Sequence, residues 1–385
     1  MKIFIFIFCS YHVFTAVTFG ENSMISYLRS MAIKLTPGNL YFIRDIDYLT
    51  GEVGKYVKIG IVTNDSTTED RIKKHQTGNP RGIYPVAEVI DVPFVERLET
   101  HMHYEYNEHW ITGEWFLINA KELKAIVARA EFHKAQQIKD KPVIERVLLK
   151  LDKSISNGQI KKASKQSLAL EQQIIQLKGE INVLKAKIDL SKQAFHSLLG
   201  FNGSIEGILR IKYAPGVFDF NKKAFEAAHP SLFKKYTLPR PDAFKHTLNF
   251  SNTSAYSLAT VDPTLHAAHK AMPASTYVSA QLPGKMKRTK RMEQLHADHL
   301  KLFQALKIRE YAIEQLEYEI KAMVGLYDGI DGICTWKRFY SPQTPAFNEA
   351  EFKKDHPKLH ATFLTIPPKE VFTMDIEKGR PYKPK

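Results

Sequence analysis

The sequence has very little cysteine. Only Cys9 and Cys334 occur among its 385 residues, which excludes a disulfide-held scaffold and a zinc site built from several thiolates. Long apolar runs are also scarce. Residues 3–20 are uncharged, but polar side chains interrupt them, and no other stretch is long and apolar enough to cross a bilayer. The sequence therefore predicts no membrane-spanning helix.

Acidic residues are too few to balance the basic ones. The chain carries 55 Lys and Arg against 41 Asp and Glu, a formal net charge of +14. Hydrophobic residues make up 44% and charged residues 25%, which is the balance of a folded chain rather than a disordered one. The positive excess indicates an anionic partner, either nucleic acid or an acidic membrane surface.

Apolar spacing predicts an α+β protein that begins with a small mixed domain over residues 38–130. Two strands joined by a turn at 50–52, a helix over 69–76, a third strand and an amphipathic helix over 94–106 follow one another there. A helical connector is predicted over 131–164.

A heptad pattern follows the connector. Its apolar residues are Leu170, Ile174, Leu177, Ile181, Leu184 and Ile188. Their alternating spacings of four and three residues are those of a coiled-coil seam. Because the run is short for a free coiled coil, we expect it to pack on a partner helix, and a homo-oligomer through these helices is one way to supply that partner.

An internal repeat indicates the architecture of the rest of the chain. Residues 200–208 match 325–333 at an offset of 125, and a later Phe-Asn and His-Pro pattern recurs at an offset of 127. We therefore predict two duplicated modules, over 165–248 and 285–375, each with a long helix, a Gly-rich turn, a β-hairpin and a short helix. The segment 249–284, rich in Ser, Thr, Ala and Pro, is expected to be a linker or long loop.

Several residues of the first domain have side chains suited to phosphate chemistry. Tyr41 lies on the first predicted strand and Lys58 on the second, and Arg71 opens the following helix. Glu99 and His103 are four residues apart and share one helix face. Each has a structural alternative: Tyr41 can pack in the core, Arg71 can be a solvated cation, and Glu99 with His103 can be a surface pair.

This region resembles the GIY-YIG nuclease superfamily, and within it the DNA-binding branch named after bacteriophage T-five ORF-172. The matching pieces are GNLYFI (38–43), VKIG (57–60), Arg71, QTGNP (76–80), Leu98-Glu99 with His103, and GEWF (113–116). The resemblance covers under a third of the chain. It implies a phage or prophage-type DNA-binding protein with metal-dependent endonuclease activity.

The resemblance also implies residue roles. Tyr41 corresponds to the tyrosine that orients or deprotonates the attacking water, and Arg71 to the arginine that stabilises the phosphorane charge. Glu99 corresponds to the carboxylate that holds one divalent metal ion, Mg²⁺. Lys58 stands where the second signature half normally supplies a tyrosine, although this branch commonly has lysine there. Lys58 and His103 are the candidate substrate contacts.

Zinc is not predicted for the first domain. His101 and His103 do not by themselves indicate it, because no third soft ligand lies close by in the sequence.

The repeated module resembles the tail of YqaJ-like viral recombinases, which implies an accessory module that binds DNA or a partner. Its second copy carries Thr335-Trp336-Lys337-Arg338. Lys337 and Arg338 are candidate nucleic-acid contacts on a basic strand with neighbouring aromatic residues. Trp336 is instead expected to pack the hairpin onto its helix.

Two functions other than an endonuclease remain open. One is a non-catalytic nucleic-acid-binding regulator in which Lys58 and Arg71 bind phosphate without turnover, and the other is a helical scaffold. Residues 1–30 are either a secretory leader or the product of a start codon placed too early. We favour the early start, and with it a cytoplasmic location, because the remaining chain resembles a DNA-handling protein.

Overall fold

The structure, a computed structural model, describes residues 33–382 except for 64, 78, 201, 215, 274–283 and 368–370. The leader expected over residues 1–30 lies outside the described residues. The fold belongs to the predicted α+β class, with an antiparallel sheet near the N terminus and long helices in the C-terminal region. Within the part of the chain that the structure describes, no helix combines the length and apolar character that a bilayer crossing requires.

A five-stranded antiparallel sheet forms the centre of the first domain. Its elements are β1 (Gly38–Ile46), β2 (Tyr56–Thr63), α1 (Thr68–Gln76), β3 (Gly82–Val92), α2 (Val95–Glu105), β4 (Trp110–Thr112), β5 (Trp115–Leu117) and α3 (Ala120–Glu145). The strands lie side by side in the order β3-β1-β2-β5-β4. This is the predicted sequence of elements with two short strands added after α2.

The two faces of this sheet have different coverings. Leu40 and Phe42 of β1 are fully buried in the apolar core beneath α2 and α3. Tyr41 and Ile43 point to the opposite face, where Ile72 of α1 packs against them, because successive side chains of a strand alternate between faces. The continuous apolar run on β1 therefore contributes to two clusters, the main core under α2 and α3 and a smaller one under α1.

The C-terminal region contains two long helices and many short elements. In chain order these are β6 (Ile160–Lys161), α4 (Lys165–Leu199), β7 (Ser204–Ile205), β8 (Leu209–Ala214), α5 (Lys222–Ala228), α6 (Pro230–Tyr236), β9 (Thr237–Lys245), β10 (Asn249–Phe250), α7 (Leu258–Val261), α8 (Pro263–Lys270), β11 (Lys285–Met286), α9 (Lys290–Val324), β12 (Gly329–Ile330), β13 (Cys334–Thr335), β14 (Phe339–Phe347), α10 (Glu349–Asp355), α11 (Pro357–Thr362) and β15 (Val371–Ile376). The helices α4 and α9 are both 35 residues long and begin 125 residues apart, which is the offset of the sequence repeat.

The helices α4 and α9 pack on each other in antiparallel orientation. Ion pairs join Lys178 to Glu317 (2.8 Å) and Lys185 to Glu310 (4.0 Å), so the residue numbers rise along one helix as they fall along the other. Four of the six heptad residues of α4 are buried with apolar residues of α9 in one core, and Leu177 and Leu184 are partly buried against it. The heptad seam thus contacts a partner helix inside the same chain, and its use in a homo-oligomer stays a prediction.

Each small sheet of the repeated region contains strands from both copies or from the residues that directly flank them. One sheet has the order β10-β13-β12-β6, in which β6 and β10, which lie just before and just after the first module, flank the β12–β13 hairpin of the second. Another has the order β11-β7-β8-β15, in which strands of the second copy flank the β7–β8 hairpin of the first. A third pairs β9 of the first copy with β14 of the second. The two copies therefore exchange strands with approximate two-fold symmetry.

The short helices of both copies share one aromatic core. The Phe220 and Phe347 rings stack with their centroids 5.7 Å apart, next to the fully buried Phe352. Asn221 and Asn348 begin α5 and α10 as N-caps with nearly identical backbone angles, φ −82° and ψ 82° against φ −84° and ψ 83°. The duplication seen in the sequence is therefore present in the local backbone.

The described part of the expected linker contains the short strand β10 and the two helices α7 and α8. The helices α7 and α8 lie along α4, where the Asn182 amide donates to the Tyr256 carbonyl (2.8 Å). Asp262 caps α8, and Pro263 occupies its first position. The expectation over 249–284 is a linker or long loop, and its helices form because an Asp-Pro pair favours a helix start even within a sequence rich in small residues.

Candidate functional site

Two predicted residues of β1 and β2 share one face of the sheet. Tyr41 lies opposite Gly60 in the antiparallel register, and Ile43 lies opposite Lys58. Directly paired residues point to the same face, so the Tyr41 phenol and the Lys58 side chain lie on the face that α1 covers. Both are buried, with 1% of Tyr41 and 7% of Lys58 exposed.

Helix α1 brings two more side chains to this face. A capping box between Thr67 and Asp70 begins the helix, and Arg71 and His75 follow one turn apart. The His75 Nε2 lies 3.2 Å from the Tyr41 hydroxyl oxygen. The buried Arg71 Nε has no hydrogen-bond acceptor among the described residues. Arg71 therefore carries an unsatisfied buried donor close to the tyrosine.

Burial and nearby cations set the protonation of this pair. Burial raises the pKa of Tyr41 above its usual value, and Arg71 partly opposes that rise. Burial also lowers the pKa of His75, and the positive charges of Lys58 and Arg71 lower it further. The imidazole is therefore neutral at pH 7.4 or above. In the tautomer protonated at Nδ1, its Nε2 accepts from the Tyr41 hydroxyl and leaves the phenol oxygen able to accept another hydrogen bond.

Lys58 is held by a carboxylate from the neighbouring hairpin. The tight turn at Gly113, where φ is 55°, joins β4 to β5 and places Glu114 beside β2. The Lys58 ammonium forms an ion pair with the Glu114 carboxylate, of whose side chain 45% is exposed. The GEWF segment thus supplies a counter-charge at the rim of the site.

Glu99 lies on α2, which packs on the opposite face of the sheet, and its charge acts on Tyr41, Lys58 and Arg71. Strand β5 pairs only with residues 56–58 of β2, and α2 lies beside β2 where that pairing ends. The pKa of Glu99 is raised to about 7, mainly by burial and next by the negative charge of Glu114, while Lys58 partly opposes the rise. Within the described part of the chain, no hydrogen bond or ion pair holds this carboxylate. Its negative charge is therefore poorly compensated.

His103, one turn beyond Glu99, has a structural position. Its Nε2 donates to the Ile59 carbonyl (3.0 Å), and its ring packs against Trp110 and Phe116. Burial lowers the pKa of His103 to about 4, so the ring is neutral. This hydrogen bond satisfies a β2 carbonyl just beyond the Lys58–Trp115 pair, where β5 begins, and fixes α2 to the sheet. We therefore leave His103 out of the proposed substrate contacts.

A cleft of about 420 Å³ opens beside Lys58 and His75. Its other lining residues are Thr77, Asn79, Pro80, Ile83 and Trp115. The Gln76 side chain fixes the loop at its mouth, because its amide donates to the carbonyls of Asn79 and Arg81 (2.9 Å each). Thr77, Asn79 and Pro80 therefore form one wall of the cleft, and Lys58 is the predicted site residue that lines it.

The two cations predicted in the second repeat have different surroundings. Lys337 is exposed, whereas Arg338 is fully buried and lies 3.9 Å from the Trp336 ring centre. The Arg338 guanidinium donates to the backbone carbonyls of Leu151 (3.1 Å) and Gly325 (2.7 Å). Arg338 therefore satisfies a free carbonyl at the C-terminal end of α9. Of the two cations, only Lys337 stays a proposed nucleic-acid contact.

His75 and Glu114 were not among the predicted site residues. The signal for His75 is its spacing of four residues from Arg71, which places both on one side of α1. The signal for Glu114 is weaker, because its contact with Lys58 depends on the pairing of β2 with β5.

These features define a class of domain, a small antiparallel sheet with a tyrosine and a lysine on the face that an arginine-bearing helix covers, and with a carboxylate whose charge acts on them. Residues 38–131 match the family model described as the T5orf172 domain, which is a GIY-YIG-like family. No curated protein and no solved structure matches the chain. The resemblance of the repeated module to recombinase tails stays a prediction.

Proposed function

We propose that residues 38–131 bind DNA and hydrolyse its phosphodiester bonds with the help of Mg²⁺. The observation that carries this proposal is the convergence of Tyr41, Arg71 and Glu99 from three separate elements. The charges of Arg71 and Glu99 both act on the pKa of the Tyr41 phenol, in opposite directions. The net charge of +14 adds a long-range attraction for a polyanion.

The donor chemistry fits one Mg²⁺ ion at Glu99. A half-buried carboxylate with a pKa of about 7 and no hydrogen-bond partner in the described part of the chain is a charge that a cation would stabilise. A single carboxylate suits Mg²⁺, which keeps most of its waters and binds few protein ligands. When bound, the ion would stabilise negative charge on the phosphate and its leaving oxygen.

The protein side chains divide the remaining work. The Tyr41 oxygen, held by its hydrogen bond with His75, would accept a hydrogen bond from a water and orient it towards phosphorus. The Arg71 Nε would donate to a non-bridging phosphate oxygen, whose charge grows as the bond breaks. Lys58 would contact a phosphate in the cleft, with Glu114 keeping its ammonium in place.

A second function, binding without cleavage, is favoured by one observation. The pKa of Tyr41 is raised rather than lowered, and Lys58 stands where a second phenol would lie, so the site has no ionised phenol to act as a base at neutral pH. In this alternative, Arg71 and Lys58 hold phosphate and the domain recognises DNA.

A cleavage assay separates these functions. Supercoiled plasmid and branched DNA would be incubated with Mg²⁺ and the wild type, Arg71→Ala or Glu99→Gln. The matched controls are Lys139→Ala and Glu69→Gln, which change exposed residues outside the site. We expect cutting by the wild type and both controls, a loss of about 100-fold or more in the site variants, and none with chelator present.

DNA binding by the same proteins identifies the alternative. Salt-dependent binding without cutting by any of them would leave the non-catalytic binder. Equal residual cutting by the wild type and both site variants would mean a contaminating nuclease and would contradict the enzyme proposal.

A further inference from the structure

A second group of metal-binding side chains lies on the first domain, away from the cleft. His101, Glu105 and His133 bring one ligand atom each within 4.8 Å of one another. The Glu105 Oε2 lies 2.6 Å from the His133 Nε2 and 3.7 Å from the His101 Nε2. The rings of the two histidines lie 4.1 Å apart between centroids. These separations are close to those around a tetrahedral ion, whose ligands lie about 2.0–2.2 Å from the metal.

Two helices build this cluster. His101 and Glu105 are four residues apart on α2 and therefore share one face, and His133 faces them from α3. The Tyr311 ring of α9 stacks on the His101 ring, with centroids 4.8 Å apart and planes 7° apart. All three ligand side chains are partly buried, with 12–19% exposed. The cluster thus has a fixed wall and an open side.

The rest of the Glu105 carboxylate is already oriented. Its Oε1 accepts from the Arg129 Nε at 2.7 Å, which leaves Oε2 directed at the two imidazoles. Partners that hold the second oxygen or nitrogen of a ligand are a regular feature of metal sites, because they fix its orientation. Arg129 holds the Glu105 carboxylate in this way.

We propose that His101, Glu105 and His133 bind one Zn²⁺ ion and thereby cross-link α2 to α3. Two imidazoles and one carboxylate suit zinc, whereas Mg²⁺ prefers oxygen ligands alone. The absence of a third ligand near His101 in the sequence is overcome by the fold, which brings His133 from 32 positions further along the chain. A water would complete the coordination on the open side.

This ion would act on the cleft only through α2. Glu99 lies two residues before His101, and its carboxylate interacts with Lys58 and Arg71, whereas His101 interacts with Glu105, Arg97 and the residues of α3. The two sites therefore use different sides of one helix. The zinc site is independent of whether the cleft cleaves DNA.

Zinc binding by the full chain tests this directly. Chelator-treated protein would be dialysed against Zn²⁺, its metal content measured, and its thermal midpoint recorded with and without the ion. Co²⁺ absorption would report tetrahedral coordination. We expect one zinc per chain, a higher midpoint with zinc, and an affinity at least about tenfold lower in His101→Gln and His133→Gln.

The variants are chosen to separate binding from folding. A glutamine at position 133 can still donate to Glu105 but is a poor zinc ligand. His246→Ala, which changes a half-exposed histidine outside the cluster, and Glu99→Gln should both bind zinc like the wild type. Failure of folded wild type to bind zinc, wild-type affinity in His133→Gln, or loss of binding in Glu99→Gln alone would each overturn the proposal.

Discussion

The hydroxyl oxygen of Tyr41 lies 2.5 Å from the position that a β-carbon on Gly60 would take. The two residues are direct partners across β1 and β2, and the phenol ring crosses the glycine of the neighbouring strand. A side chain at position 60 would meet the ring itself, since the ring carbons lie 2.6–2.9 Å from the same point. Gly60 is therefore required by the orientation of Tyr41 rather than by a turn.

Gly60→Ala should destabilise the domain and displace Tyr41. Overpacking of this kind costs about 1–3 kcal/mol, measured as the change in the free energy of unfolding in urea. The control is the same substitution in a Tyr41→Ala background, where the added methyl group has room. An equal cost in both backgrounds would show that the Tyr41 ring is not the obstacle.

Glu99→Gln should change how stability depends on pH. The pKa of Glu99 is about 7 in the folded chain and 4.5 ordinarily, so the folded state keeps the proton longer. The stability linked to this proton is complete below about pH 4.5 and is lost as pH rises to 7. Across that window the variant should become more stable than the wild type, by up to about 3 kcal/mol in the free energy of unfolding. Urea unfolding measured from pH 4 to 8.5 checks this. Glu69→Gln is the control, and its curve should stay parallel to that of the wild type.

His75→Ala should weaken cleavage without unfolding the domain. The hydrogen bond from Tyr41 is lost, so the phenol no longer has a fixed orientation. We expect the cleavage rate to fall by a factor of up to about ten. The Tyr41→Phe variant removes the same hydrogen bond from its other end. Because the two residues act through one bond, the double variant should lose little more than the worse single variant. Additive losses would show that His75 acts separately.

Substitution of Arg338 should destabilise the protein, whereas substitution of Lys337 should affect only DNA binding. Arg338→Lys should cost about 2–4 kcal/mol, because the buried carbonyls of Leu151 and Gly325 lose their donors. Lys337→Ala should leave stability within about 0.5 kcal/mol of the wild type. If Lys337 contacts a phosphate, its loss should reduce the salt slope of DNA binding by about one. A large loss of stability in Lys337→Ala would contradict the assigned positions.

Local patterns predicted those features that depend on neighbouring residues. Strand alternation separates Tyr41 from Leu40, and helical spacing groups Glu99 with His103, so the elements of the first domain followed from the sequence. The burial of Arg338 did not follow from the sequence, because a basic segment of this kind is usually exposed to solvent. Its burial depends on the end of α9, whose Gly325 carbonyl accepts from the guanidinium. The approach of His133 to His101 likewise depends on how α2 packs on α3.

The exchanged strands have a consequence for the origin and folding of the repeated region. Each copy alone would have a two-stranded hairpin with both of its edges open, because the strands that cover those edges belong to the other copy or directly flank it. Isolated hairpins are marginally stable in water, so a single copy would need a second subunit to complete its sheets. In this chain the other copy takes the place of a second subunit. The repeated region is in effect a dimer encoded as one polypeptide.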